Sequence, residues 1–305
     1  MKPSKPARRH HFVPQAYLTR WTVDGTMHVW DKEKRAGFST SPRHVAFRKD
    51  FHAEQGAAPD RFERAFTERF ERPQMISLSA LLAEIQAGAA LSAKRRADLD
   101  RVLITQLLRL PRMRQRLEQL FSALGYRVNP ALEARRYHLD VLDGRSSLQD
   151  LYLDVIRPMG VTLLLAPDSA AFWTSDAPVL QGLAHPVHGG MRMSWMTDLT
   201  DPAALLLMPL SPRVAAHYGP AGSVPATPDG RSTLSVEGVR RVNDLTFVNA
   251  ERQVFSVTPL HPAEPLLTAE ASFRAQDRAA REQAPKVTSE QRRQAFRWSK
   301  TFTRQ

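Results

Sequence analysis

The feature that most constrains this chain is a change of period near residue 160. From about 60 to 157, apolar residues recur at helical spacing. Beyond 160 they come in short runs broken by proline, glycine and aspartate. Phe62, Phe66 and Phe70 stand at i, i+4 and i+8, and Asp60 with Glu63 has the form of a capping box, so a helix opens there and is expected to end before Pro73. A second helix is expected over Gln74–Gln86, stopping near Gly88. Ser92 opens the longest pattern, Ala93 to Leu124, in which Leu99, Val102, Leu103, Gln106, Leu107 and Leu110 keep helical phase. Pro111 should kink or split it, because proline removes a backbone donor and crowds the preceding turn. Asn129-Pro130 starts a further helix to about Leu142, closed by Gly144, and Ser147–Ile156 reads as a short one.

The second half reads differently. Val161–Leu165 and Ala171–Thr174 are expected as a hairpin through Pro167-Asp168-Ser169, and Leu205–Leu210 with Arg213–Tyr218 as a second pair. Gly219–Arg231 is a Pro/Gly-rich loop, Ser235–Ala250 helical and Gln253–Val257 a last strand. Near the start, the turn dipeptide Asp24-Gly25 marks a hairpin over Thr22–Asp31. Helices first and strands afterwards indicate an α+β fold rather than βαβ winding: a helical first half packed on a small antiparallel sheet from the second half, plus an N-terminal hairpin. One domain is expected over residues 10–260, its helical part about 60–157 and its strand-rich part about 161–257. A basic arm, residues 1–9, precedes it. A basic, loosely ordered tail with at most one exposed helix, residues 261–305, follows.

The 305 residues include no cysteine, which excludes a disulfide scaffold, a thiolate zinc site and a cysteine nucleophile. No window approaches the roughly 20 apolar residues of a membrane span, and Met1–Arg9 leads into no apolar run, so a cytoplasmic location without a membrane partner is the expectation. The net charge of +12 is concentrated at the ends. Lys2, Lys5, Arg8 and Arg9 stand in Met1–Arg9 without an acid, and Phe273–Gln305 holds nine bases against Asp277, Glu282 and Glu290. Those segments carry +10, leaving +2 for His10–Ser272. Basic arms attract phosphate, so nucleic acid, DNA or RNA, is the expected partner; solubilising termini without a ligand would look the same.

No GxSxG, HExxH, P-loop or GxGxxG pattern occurs. Four local concentrations of reactive side chains remain. His10-His11 could supply a general acid or base, or simply anchor a segment through Phe12, Val13, Tyr17 and Leu18. Ser175-Asp176 lies beyond an expected strand, where Asp176 could hold a metal, orient a histidine or stabilise a turn. Gln106 and Arg109 share one helix face, with Arg112 a turn beyond. Such an arginine meets either a phosphate or a buried carboxylate such as Glu63 or Asp176. In Arg48-Lys49-Asp50-Phe51-His52, basic and aromatic residues interleave; His52 with Asp50 could join a polar site, and a surface turn explains the run as well.

Taken in order, these segments resemble one family. His10-His11-Phe12-Val13-Pro14-Gln15-Ala16-Tyr17-Leu18-Thr19-Arg20-Trp21 resembles the His-His-x-x-Pro-x-x-Tyr-Leu-x-x-Phe opening of the bacterial domain-of-unknown-function family 4238. The likeness continues through Trp30-Asp31-Lys32, Lys49-Asp50-Phe51, a helix bearing Glu63, and Gln106, Arg109 and Pro111. It then takes in Thr174–Val179, Pro209–Pro212, and the helix with Asn243 and Asn249. Trp21 stands for the usual Phe, and Ala177 for the Asn expected between Asp176 and Pro178. The resemblance implies no activity, but its polar motifs are what a converging site would need. The expected site therefore takes His10, His11, Arg109 and Asp176 as catalytic residues, with Gln106, Lys49, Ser175 and Arg112 contacting substrate. Asp176 or His11 are the candidates for holding a metal, Mg or Mn.

Three functions follow as expectations. In a nuclease of defence or toxin type, a histidine would move protons, Arg109 would steady the phosphate, and Asp176 would orient the imidazole or hold an ion. A non-catalytic nucleic-acid binder would draw its affinity from the basic ends. A binder of small anions such as nucleotides would use the cleft alone.

Overall fold

The computed structural model describes residues 8–53, 58, 60–123, 129–184, 191–193, 199–220, 224 and 229–282. Most of the basic arm, the tail beyond 282 and much of the Gly219–Arg231 loop lie outside the described residues.

The fold is α+β. The chain opens with β1 (Arg9–His11), a short α1 (Gln15–Leu18), β2 (Met27–Asp31), β3 (Ala36–Thr40) and β4 (Phe47–Lys49). The helical half follows as α2 (Arg61–Phe66), α3 (Arg72–Gln86), α4 (Ala93–Arg109), α5 (Pro111–Ala123), α6 (Pro130–Leu142) and α7 (Leu148–Ile156). Then come β5 (Gly160–Leu165), β6 (Thr174–Ser175), β7 (Leu180–Ala184), β8 (Met191–Met193), β9 (Ala204–Ser211), β10 (Val214–Gly219), β11 (Arg231–Thr233), α8 (Val236–Asn249), β12 (Gln253–Ser256) and α9 (Glu264–Glu282).

Local chemistry sets most helix ends. The Ser92 side chain accepts from Arg95 N–H, Asn129 accepts from Ala131 and Leu132 N–H, and Ser235 accepts from Gly238 N–H. Gly88 and Gly144 stop α3 and α6 in the left-handed conformation, with φ of 87° and 71°. Pro111 splits the long helix at Leu110, whose ψ of 146° is extended, so α5 leaves at an angle with Pro111 as its first residue.

Several expectations are corrected. The helix opening at Arg61 does not end before Pro73. It passes through a π turn, Thr67–Glu71, and continues as α3, the wider turn giving the proline ring room among the carbonyls behind it. The capping box does not form, because Asp60 makes no side-chain cap and Glu63 is drawn inward. Asp24-Gly25 does make the tight turn, closed by a Val23–Thr26 bridge, but the ladder that follows pairs β2 with β3.

Three sheets result. A six-stranded sheet runs β11-β5-β10-β9-β7-β8, antiparallel except where β11 lies parallel to β5. A four-stranded sheet runs β3-β2-β12-β6, and β1 with β4 forms a separate ribbon. The expected hairpin from Val161–Leu165 into Ala171–Thr174 is absent: β5 has β10 on one edge and β11 on the other, so β6 joins the four-stranded sheet beside β12. The expected β9–β10 pair does form. In the tail, α9 packs on α8 and is tied down where Lys32 meets Glu270.

Candidate functional site

Between Leu99 and Arg109 every α4 side chain except Arg101 is buried, so this helix carries Gln106 and Arg109 into the interior. A guanidinium is tolerated there only with anionic partners. Arg109 has two. Its Nη2 donates to Glu63 Oε1 (3.0 Å) and its Nη1 to Glu71 Oε2 (2.6 Å), while Cζ lies 4.8 Å from the centroid of the Phe66 ring. In an uninterrupted α-helix Glu71 would be turned about 80° from Glu63. The π turn between them removes part of that rotation, and both carboxylates reach one guanidinium.

The second oxygen of Glu63 meets a histidine: His52 Nδ1 lies 2.7 Å from Oε2. His52 in turn donates its backbone N–H to His10 Nδ1 (2.8 Å), and the His10 and His52 rings stack with centroids 5.9 Å apart at 17°. Hydrogen-bond roles fix the tautomers. An imidazole that accepts at Nδ1 carries its neutral proton on Nε2, as His10 does; one that donates from Nδ1 to a carboxylate has its lone pair on Nε2, as His52 does. That His52 Nε2 is fully enclosed and has no hydrogen-bond partner among the described residues.

Electrostatics hold the pair in those states. Burial alone would raise the Glu63 carboxyl, but Arg109 and the His52 hydrogen bond together bring it down to about 2. Burial pulls the His52 imidazole down to about 4 against the opposing pull of Glu63. Behind His52 lies His138, its ring 6.3 Å away; its Nε2 donates to Leu108 O (2.7 Å) and its Nδ1 accepts from Arg114 (3.0 Å). Burial and then Arg114 push that imidazole well down, and Phe51 and Phe62 complete the wall around His52.

The structure brings His10, His11, Gln106 and Arg109 to one place. His11 lies across β1 from His10, its ring against Phe47 and its Nδ1 3.3 Å from Gln15 Nε2. Burial lowers its imidazole, and Glu63 and Arg109 are near enough to act on it. Gln106 Nε2 donates to Phe12 O (2.9 Å), tying α4 to the end of the histidine strand. Among Glu71, Gln106 and Arg109 a cavity of about 10 Å³ remains, the room of one water. Outside, the ribbon pairs Arg9 with Lys49 and His10 with Arg48. Arg8, Arg9, Arg43, Arg48 and Lys49 are all exposed there, with Asp50 bound to Arg8 and Arg48 reaching Glu251.

Asp176 is elsewhere. Its carboxylate accepts from the backbone N–H groups of Glu251, Arg252 and Gln253, each at 2.9 Å, and its hydrogen bonds run to no histidine. Burial and Glu251 push its carboxyl up, to about 7, against those three donors. Ser175 Oγ accepts from Ala177 N–H (3.1 Å), and Arg112 donates to Asn249 Oδ1 (3.1 Å) and Val179 O (2.8 Å), so both shape the turn around Asp176. Among the described residues, the group able to surround an ion is His10, His52 and Glu63, which contains neither Asp176 nor His11. Sequence reasoning had no signal for Glu71 or His138, whose places depend on the π turn and on how α6 packs against α5.

Fold and site together define an α+β protein built around a buried His/Glu/Arg centre beneath a basic ribbon. A family model described as "Protein of unknown function (DUF4238)" matches residues 9–259, and the chain belongs to that family. Neither the curated proteins nor the solved structures contain a match.

Proposed function

We propose that this protein is a nucleic-acid-directed hydrolase, a nuclease, whose centre is His52 with His10 and Glu63. One observation carries the reading: a neutral imidazole, oriented by an ionised carboxylate, has no partner for its Nε2 among the described residues and sits beside a ribbon whose Arg9, Arg48 and Lys49 are exposed. In this scheme His52 Nε2 takes the proton from a water attacking phosphorus. The P–O bond to the leaving oxygen breaks, that oxygen takes a proton from solvent water, and the His52 imidazolium returns its own to solvent, while His10 holds the His52 segment in place. Arg109, paired with Glu63 and Glu71, is a positioning residue that keeps Glu63 aimed. Lys49, Arg9 and Arg48 hold the phosphate backbone.

The test is cleavage of labelled single- and double-stranded DNA and RNA, with manganese, magnesium or chelator, by wild type beside His52→Ala. The expected loss is about 100- to 10,000-fold in rate. Equal cleavage by both proteins would overturn the assignment of His52, and no cleavage by either would overturn the hydrolase. The burial of His10 and His52 favours a second reading, in which the centre is structural and the ribbon binds nucleic acid without turnover. It takes the field if both proteins shift every substrate in a gel and cut none.

A further inference from the structure

We infer that a surface pocket on α6 binds a nucleoside monophosphate, free or at the end of a nucleic-acid strand. The pocket has a volume of about 580 Å³, inside the range of roughly 300–1,000 Å³ for small-molecule sites. Among the described residues its wall is one side of α6, joined by Ala53 and by Arg145 just past the Gly144 stop. The side chains there match the parts of a nucleotide. Arg135 and Arg136 offer guanidinium N–H groups to a phosphate. Glu133 offers a carboxylate to sugar hydroxyls or a base amine. Leu132, 41% exposed, and the buried Leu139 and Ala53 give an apolar wall for the base.

What these groups leave unused points to the occupant. Arg135 gives Nη2 to Asp50 O (3.1 Å) and Ala53 O (2.5 Å), and its Nη1 has no partner among the described residues. Arg136 is exposed, and Glu133 stands three residues before it. The two form no ion pair, and neither side chain has another partner among the described residues. Arg145, by contrast, is held by Asp140 (3.2 Å) and Asp143 (3.0 Å). Arg135 and Arg136 therefore face Glu133 alone in the pocket, and an anion offsets the difference. The neighbouring Arg114 adds to it. Arg114 donates to Phe51 O (2.8 Å) and His138 Nδ1 (3.0 Å) and meets no carboxylate among the described residues. Burial, then Arg135 and Arg48, bring its guanidinium down to about 9. Arg114 and Arg135 thus oppose each other at the Asp50–Ala53 turn, whose carbonyls both hold, and a phosphate beside Arg135 relieves that repulsion.

The inference does not depend on hydrolysis, because binding is read without turnover. Full-chain protein is titrated by calorimetry with AMP, CMP, adenosine and inorganic phosphate. One AMP or CMP per chain is expected, bound about 10-fold or more tighter than adenosine or phosphate alone. Arg136→Ala and Leu132→Asp should each weaken it about 10-fold or more, while Arg240→Ala, exposed on α8, leaves it unchanged. Both altered pocket side chains are exposed, so the fold is kept, and circular dichroism checks that it is. Phosphorothioate-linked decamers with a 5′-phosphate, a 3′-phosphate or neither separate the two sources. A preference for a phosphorylated end that Arg136→Ala abolishes assigns the pocket to strand ends, and no preference assigns it to free nucleotides. No monophosphate bound, inorganic phosphate bound as tightly as AMP, or binding indifferent to both variants would each overturn the pocket. Nucleotide bound without cleavage of any nucleic acid would retain it and remove only the hydrolase.

Discussion

Two buried polar clusters lie within the one domain, and they are built on opposite plans. Around Asp176 the side chains bond to backbone: three N–H groups meet the carboxylate, and Asn249 Nδ2 donates to Ala177 O (2.6 Å). Asn243 likewise accepts from Trp173 N–H and donates to Ala171 O. Around Arg109 and His52, titratable side chains bond to one another, and His11 Nε2, His52 Nε2 and Arg109 Nε have no hydrogen-bond partner among the described residues. The first plan fixes the path of a chain. The second ties titratable side chains to one another in the interior, an arrangement that ion-pair networks and reactive sites share.

The sharpest way to break that contrast is Arg109→Ala. It strands Glu63 and Glu71 in the interior, and the expected cost is about 3–5 kcal/mol of unfolding free energy by urea denaturation. A loss near zero would mean that the two carboxylates are neutral or hydrated, and the centre as described would not exist.

Acid titration sharpens it next. The Glu63 carboxyl is depressed from 4.5 to about 2, so its stabilising contribution is complete above 4.5 and is lost as pH falls toward 2. The His52 imidazole is depressed from 6.5 to about 4, so the unfolded chain binds its proton first and stability also declines as pH falls from 6.5 to 4. The two effects share a sign, and each is on the order of 3 kcal/mol. In His52→Gln the slope of stability against pH between 6.5 and 4 should flatten by one proton. An unchanged slope would show that His52 is already protonated in the fold.

Asp176→Asn asks whether the other cluster is an anion cradle. Three N–H donors converge on the carboxylate, and an amide would turn its own NH₂ toward at least one of them. The expected loss is about 2–3 kcal/mol at pH 7, with cleavage per folded molecule unchanged. If Asn is accepted without loss, the carboxyl is protonated at neutral pH and burial outweighs its donors.

How far the sequence reaches follows the same division. Features set within a few residues were legible: the Ser92, Asn129 and Ser235 caps, the break at Pro111, the stops at Gly88 and Gly144, and the pairing of β9 with β10. Features decided at long range were not. Asp60 and Glu63 carry a valid capping-box pattern, yet Arg109, 46 residues on, takes Glu63. Ala171–Thr174 follows a strand at hairpin distance, yet both edges of β5 are taken by β10 and β11. His10, His11, Gln106 and Arg109 stood out because unusual residue types sat on otherwise apolar segments, and the fold brings them together. Asp176 carried the same mark for a different reason, since a polar residue that organises a turn and one that does chemistry look alike until their partners are known.

Lys49 gives the smallest effect and separates the ribbon from the centre. It is exposed on β4 opposite Arg9, so Lys49→Ala should leave folding unchanged. If the ribbon holds a phosphate backbone through Lys49, log Kd against log salt loses about 0.9 in slope, the share of one counterion on duplex DNA. Cleavage at saturating substrate should then stay at the wild-type rate, because Lys49 binds the substrate and moves no proton. A lower saturated rate with an unaltered salt slope would instead place Lys49 in the chemistry. The ribbon would then be a working wall of the centre rather than its approach.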